Sequence, residues 1–208
     1  MCTDQNRVLV DLGLGAVGFE VPGLGSFAGG KLLDGLRAEG LTPGDADRDV
    51  PVKGLTFANA RHIVDRAEGD CWNGTAEIIG PDPAAVRDPV SAVIEFLEPG
   101  EPVVPGLPAV PTPGHTPDHT SLLVTDEASD DRLLVLGDVM PAQAQVSETH
   151  GNFLFDVNAD EGTKTRLTVS QDHQDEHTVV AGGHFAGSVF GRFLPARYQY
   201  GWAISKTR

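Results

Sequence analysis

Three residues of types that commonly bind metals each stand beside a glycine next to an apolar segment. They are His115, Asp138 and His184, and each directly follows a glycine. The end of a strand projects side chains from a rigid scaffold, and glycine lets the backbone turn sharply there. Neutral imidazole and carboxylate are usual zinc ligands, and a carboxylate can bridge two ions. Each position alone is more typical of a structural turn, so the metal-site prediction depends on the three together.

Two other motifs fit binding patterns but lack the surroundings that those patterns require. Residues 13–18 fit GxGxxG, which needs a helix to open at its end and face a phosphate; Pro22 and Gly23 prevent that helix. Residues 173–177 fit HxxEH, a zinc-protease pattern, within a polar run that has no apolar helix face. A solvated helix end is the favoured interpretation of this second motif.

The elements that must position these residues are short and of both kinds. Strands are predicted at residues 8–11, 56–57, 62–64, 121–124, 132–136 and 178–181. Helices are predicted at residues 31–39, briefly from residue 42, at 82–97 with a restart at Pro89, and at 160–172. Gly40 suits the position just past the first helix, and residues 99–113 are expected to be extended or looped. This mixture points to α/β or α+β layers.

Composition restricts the class of protein and its partners. The chain has 208 residues, enough for a sizeable core in one domain spanning residues 1–208. Its 15 basic and 30 acidic residues give a net charge of −15, which argues against nucleic acid or an anionic membrane as a partner. Cys2 and Cys71 form no disulfide framework, and no signal peptide or membrane-spanning run is found, so the cytoplasm is the expected location.

Several segments resemble the metallo-β-lactamase superfamily, in the order in which that family carries them. Thr112-Pro-Gly-His115-Thr-Pro-Asp-His119-Thr-Ser121 resembles its TPGHTPGHTS segment, Gly137-Asp138 its bridging aspartate, and Gly183-His184 its last histidine. Residues 155–166 resemble the helix approach of the N-acyl homoserine lactonase-like branch. Further upstream, residues 8–15 are similar to LVDTGLG and residues 55–62 to LTFPNARH.

This resemblance implies a fold and a chemistry. The fold is the αββα sandwich, of α/β (α+β) type, with metal ligands along one edge. The counterpart of His115 binds one zinc, that of His184 the other, that of Asp138 lies between them, and that of His119 supports the site from behind. The implied reaction is attack of metal-activated water on a lactone, ester or similar acyl bond of a small-molecule substrate.

The sequence also departs from the family pattern. The HxHxDH motif, which donates four ligands, is absent, because the chain runs from Asp49 directly into residues 50–57 and has no histidine before His62. The sandwich is therefore expected to be incomplete at the N-terminus and around residues 50–54, and a full two-zinc site is not expected. Exposed strand edges favour a homodimer. Two functions stay open: a zinc-dependent hydrolase, or a catalytically dead remnant or pseudoenzyme with a binding or structural role.

Overall fold

The computed structural model describes residues 7–11, 18–23, 25–45, 55–72, 84, 87–98, 100–126, 128–195 and 200–204. The helices are α1 (Leu32–Ala38), α2 (Arg66–Trp72), α3 (Asp88–Val90) and α4 (Ala159–Asp172), with 3₁₀ turns at Pro43–Asp45, Gly137–Val139 and Gln143–Val146. The strands are β1 (Gly18–Val21), β2 (Gly25–Ala28), β3 (His62–Asp65), β4 (Ile94–Leu97), β5 (Pro102–Val104), β6 (Leu107–Pro111), β7 (Thr120–Thr125), β8 (Arg132–Val135), β9 (Thr178–Ala181), β10 (Phe190–Leu194) and β11 (Gly201–Ile204).

The chain divides into two compact units, residues 1–62 with 82–95 and residues 63–81 with 96–208. This division leaves the interpretation of residues 1–208 as one domain a prediction. Among the described residues, no helix has the length and apolarity that a membrane span requires. The GxGxxG motif and the junction at residues 50–54 lie outside the described residues, apart from Gly18 at the start of β1.

The first unit confirms the helix predicted at residues 31–39. Leu36 on α1 and Phe57 are buried together, with partly buried apolar neighbours around them. Gly40 ends the helix with a φ of 72°, and the Leu41 N–H donates back to the Leu36 carbonyl at 2.8 Å. Glycine adopts left-handed backbone at little cost, and this conformation cannot continue a right-handed helix, so α1 ends just before Gly40.

Three predicted elements of the N-terminal half are wrong. Residues 8–11 form no strand, and this segment ends at Asp11 in left-handed backbone, with a φ of 54°. Residues 56–57 lie in a turn, where Phe57 is buried beside Leu36. Of the helix predicted at residues 82–97, residues 82–83 and 85–86 lie outside the described residues, and the restart at Pro89 is confirmed as α3. Its last part is wrong, because residues 94–97 form β4, whose β-branched and aromatic residues suit its pairing with β3. The short 3₁₀ turn after Thr42 and the strand at residues 62–64 are confirmed.

The second unit contains a seven-stranded sheet in the order β11-β10-β9-β8-β7-β6-β5. The strands predicted at residues 121–124, 132–136 and 178–181 are confirmed as β7, β8 and β9. β8 and β9 are parallel, and α4 lies between them in sequence, which confirms the helix predicted at residues 160–172. The other neighbouring pairs whose register is described are antiparallel.

The core of the second unit includes one face of this sheet. Alternate residues of β8 to β10, Leu134, Val180 and Phe193, are almost completely buried, as a strand's alternation of side chains requires. They pack with residues from the turns after β8 and β9 and from α4, namely Leu136, Val139, Met140, Val146, Val169 and Phe185. The same turns that carry the candidate metal ligands are therefore anchored in the core.

A partly buried network around Asp175, at the other end of β8 and β9, predicts acid sensitivity. Burial opposes ionisation of Asp175, but hydrogen bonds from Thr178 and the His177 N–H, together with the Arg132 guanidinium, lower the pKa of its carboxyl to about 2. A carboxyl whose pKa is below its unfolded value of about 3.9 stabilises the fold above that pH. This stabilisation is lost as the pH falls from about 4 towards 2.

We expect Asp175→Asn to remove this pH dependence. Urea unfolding at several pH values should show a smaller loss of stability below about pH 4 in the variant than in the wild type, because the variant has no carboxyl to protonate. The exposed Asp172→Asn is the matched control, and its free energy of unfolding at neutral pH should stay within about 0.5 kcal/mol of wild type. Equal acid slopes for Asp175→Asn and wild type would contradict the prediction.

Candidate metal centre

The sheet topology places the three predicted ligands at one end of the second unit. His115 lies in the loop from β6 to β7, Asp138 in the 3₁₀ turn after β8, and His184 in the turn after β9. β8 and β9 are parallel, so their C-terminal ends meet at one edge. The antiparallel pairs β7–β8 and β6–β7 bring the β6–β7 loop to that same edge.

The side chains meet as well as the loops. The Asp138 carboxylate lies between the two imidazoles, with Oδ1 2.8 Å from His184 Nε2 and Oδ2 3.6 Å from His115 Nε2. The His184 hydrogen bond lowers the pKa of the Asp138 carboxyl, against burial, which favours its neutral form. The His115 side chain is 16% exposed and that of His184 is 55% exposed, so the centre opens to solvent on the His184 side.

His119 supports Asp138 through the backbone. Its Nε2 accepts the Asp138 N–H at 2.9 Å, so the ring proton is on Nδ1, which contacts Thr112 Oγ1 at 2.8 Å. Thr112 Oγ1 also contacts Ser121 Oγ. The Ser121 hydroxyl donates to the carbonyl of Leu136, just before the 3₁₀ turn that carries Asp138. Burial lowers the pKa of His119, which keeps the ring neutral. His119 therefore lies behind the turn that carries Asp138, and its supporting role in a metal site stays a prediction.

Gly137 makes the close approach of His119 possible. Its φ is 60°, and a Cβ there would lie 2.6 Å from His119 Nε2. Only glycine combines that backbone with that contact. The glycine before Asp138 therefore has a structural task that depends on a residue 18 positions earlier in the chain, His119.

Two further residues support His115, and sequence reasoning did not identify them as site residues. Asp156, whose side chain is 0% exposed, has Oδ1 3.1 Å from His115 Nδ1, and its Oδ2 faces Arg166 Nη1 at 3.4 Å. Arg166 lies on α4 and its side chain is 1% exposed. The available signal in the sequence was Arg166 in the middle of a predicted helix. Charged residues are rarely buried without a partner, so a buried arginine there would have indicated a nearby carboxylate.

The loop that carries His115 is fixed against the start of α4. The N–H groups of Val157 and Asn158 donate to the carbonyls of His115 and Gly114 at 3.0 and 2.9 Å. Thr165 Oγ1 donates to the Pro113 carbonyl at 2.6 Å. These bonds give the carbonyls of residues 113–115 a donor each and hold the backbone that carries the imidazole against α4.

The donor set fits a divalent metal, although its present spacing is too tight. A neutral His115 that donates from Nδ1 to Asp156 turns its Nε2 lone pair towards an Asp138 oxygen, and two acceptors that face each other favour a cation between them. His184 and Asp138 are in direct contact, whereas two ligands of one tetrahedral zinc lie roughly 3.3 Å apart. Within the described ranges, no set of three His, Cys, Asp or Glu side chains is spaced to hold an ion. Metal binding therefore requires the His184–Asp138 pair to separate slightly.

The remaining histidines of the second unit lie elsewhere. His150 is exposed in a loop. The HxxEH motif begins after α4 has ended at Asp172, and His177 pairs with Asp131 at 3.5 Å on the surface.

Comparison with known proteins identifies the fold. No protein-family model and no curated protein matches this sequence. Among solved structures, the dizinc quorum-quenching lactonase AidC is similar over 100% of this chain and 78% of its own, with a TM-score of 0.81 and 18% identity. A second similar structure is the hydrolase AbOPH of the β-lactamase superfamily, over 89% of this chain and 72% of its own, with a TM-score of 0.71 and 19% identity.

A quorum-quenching N-acyl homoserine lactone hydrolase is also similar, over 74% of this chain and 64% of its own, with a TM-score of 0.57 and 20% identity. This chain therefore has the metallo-β-lactamase fold, which confirms the fold that the sequence resemblance implied. The structural neighbours are hydrolases of the metallo-β-lactamase superfamily and include lactonases.

Proposed function

We propose that this protein is a zinc-dependent hydrolase that cleaves a lactone, ester or related acyl bond of a small molecule. One observation carries the proposal: the Asp138 carboxylate lies between the Nε2 atoms of His115 and His184, which come from separate loops. Imidazole and carboxylate are the donors that catalytic zinc uses. Similar structures include a dizinc lactonase, which supports the same chemistry for this chain.

The residues present support one ion rather than two. Zinc at a catalytic site takes about three protein ligands and keeps a further position open. His115, Asp138 and His184 supply three, and the sequence offers no HxHxDH motif for a second ion. We therefore propose a single ion, with its open position on the exposed His184 side.

Zinc, when bound, lowers the pKa of a coordinated water towards about 7 and polarises an acyl carbonyl. The chain supplies the surroundings for that chemistry. Asp138 contributes the negative charge that offsets the cation, and His119 holds the Asp138 backbone by accepting its N–H. His115 is held on the loop that docks against α4, while the exposed His184 leaves room for a substrate to approach.

A non-catalytic protein is the second candidate, and one contact favours it. His184 Nε2 and Asp138 Oδ1 already satisfy each other at 2.8 Å, so the pair is complete without an ion. Together with the missing HxHxDH motif, this contact supports a scaffold that has lost its metal. Such a protein would keep a binding or structural role.

Zinc content and hydrolysis of the same purified samples separate the two candidates. After growth with zinc and washing, we expect about one zinc per chain and hydrolysis of lactones or esters that a chelator abolishes. Loss of a residue that supports a metal ligand typically lowers metal affinity or activity about 10–100-fold. His115→Ala removes a proposed ligand itself, so it should lower zinc affinity and hydrolysis by more than that. His150→Ala, an exposed histidine outside the centre, should retain both.

The other outcomes are also informative. No zinc and no metal-dependent hydrolysis in the wild type would sink the enzyme proposal and favour the non-catalytic scaffold. Two zinc ions per chain would show that further residues contribute ligands and would overturn the one-ion site. A homodimer and a cytoplasmic location stay predictions from the sequence.

A further inference from the structure

Asp156 is a buried carboxylate whose two oxygens face different partners. Oδ2 accepts the Phe153 N–H at 3.0 Å and faces Arg166 Nη1 at 3.4 Å. Oδ1 lies 3.1 Å from His115 Nδ1. With Oδ2 facing two donors, Oδ1 is the oxygen that remains to accept from the imidazole.

Arg166 is held rigidly enough to fix this arrangement. Its Nε donates to the Thr149 carbonyl at 2.9 Å, and its Nη2 donates to Asn152 Oδ1 at 3.0 Å and Thr163 Oγ1 at 3.2 Å. The guanidinium therefore has acceptors on several sides and cannot rotate without losing them. Since α4 supplies Arg166, the helix determines where the Asp156 carboxylate points.

We propose that Asp156, anchored by Arg166, is a positioning residue that sets the tautomer of His115. An ionised carboxylate has no proton to donate, so His115 must donate from Nδ1. The Nε2 lone pair is then directed at Asp138, in the orientation that a metal ligand requires. The proposal rests on the proposed function for its effect on metal affinity; the tautomer itself is a property of the metal-free chain.

Asp156→Asn tests the proposal by changing one atom. Phe153 N–H and Arg166 both need an acceptor, so the Asn oxygen should face them and its NH₂ should face His115. His115 Nδ1 must then accept, and the ring proton moves to Nε2, where it faces Asp138. The matched control is Asp160→Asn, which removes the same charge from an exposed position in the first turn of α4.

Nitrogen NMR of the imidazoles in the metal-free protein, under mildly alkaline conditions, reads the tautomer directly. We expect Nδ1–H at His115 in the wild type and in Asp160→Asn, and Nε2–H in Asp156→Asn. Zinc titration should show affinity lower by about 10–100-fold in Asp156→Asn alone. An Nε2–H tautomer in the wild type, or unchanged tautomer and affinity in Asp156→Asn, overturns the proposal.

The test still decides the proposal if Asp156→Asn does not fold or if the wild type binds no zinc. If Asp156→Asn fails to fold because Arg166 is left uncompensated, the double variant Asp156→Asn/Arg166→Gln removes that charge, and the same tautomer change is expected in it. If the wild type binds no zinc, the proposed function fails, while the tautomer measurements still decide the positioning role by themselves.

Discussion

Replacing Arg166 by methionine is expected to lower the free energy of unfolding by about 3–5 kcal/mol, the usual cost of removing one partner from a buried ion pair. Asp156 would remain buried without its guanidinium, and the acceptors Thr149 O and Asn152 Oδ1 would lose their donor. Methionine fills similar space, so the loss comes from charge and hydrogen bonds rather than from a cavity. Urea unfolding followed by circular dichroism measures it.

Arg37→Met is the matched control for this first prediction. Arg37 also lies on a helix and pairs with an aspartate, Asp34, but both side chains are exposed, at 68% and 76%. An exposed pair of this kind contributes about 0–1 kcal/mol. Equal destabilisation by the two substitutions would contradict the prediction. The double variant Arg166→Met/Asp156→Asn should recover part of the loss, because it removes the unpaired carboxylate.

Gly114→Ala is expected to destabilise the protein by at least about 3 kcal/mol, since it combines backbone strain with overpacking. Gly114 has a φ of 134°, and a Cβ there would lie 2.3 Å from the Cα and the N of Gly162. Both contacts are backbone atoms in the first turns of α4, so no side chain can move aside. The His115 loop would have to leave the helix, and metal binding should weaken along with stability.

Gly183→Ala provides the comparison for this second prediction. Gly183 precedes His184 as Gly114 precedes His115, yet a Cβ at Gly183 meets nothing within 4 Å. The free energy of unfolding of Gly183→Ala, measured by thermal unfolding, should stay within about 0.5 kcal/mol of wild type. The prediction fails if the two variants unfold at the same temperature, or if Gly114→Ala retains wild-type stability.

Local patterns predicted the elements that carry the site. The short apolar runs of β7, β8 and β9 and the glycine that ends α1, Gly40, lie within short segments, so they can be found from sequence alone. The predictions failed where distant contacts overrode local preference. Residues 90–97 have a helical spacing of apolar side chains, yet Ile94–Leu97 pairs with β3 as a strand. Phe57 is buried in a turn because it packs against α1.

The sequence by itself determined the types of the candidate ligands, their glycine neighbours and the resemblance that implied the fold. Only the tertiary structure decided that Asp138 lies between His115 and His184, and that Asp156 and Arg166 stand behind His115. The physical reason is that a ligand's chemistry belongs to one residue, whereas its tautomer and orientation depend on hydrogen bonds. Those bonds come from residues 41 and 51 positions further along the chain than His115, at Asp156 and Arg166. Sequence spacing does not encode contacts over such separations, because they form only when β8, α4 and the β6–β7 loop pack together.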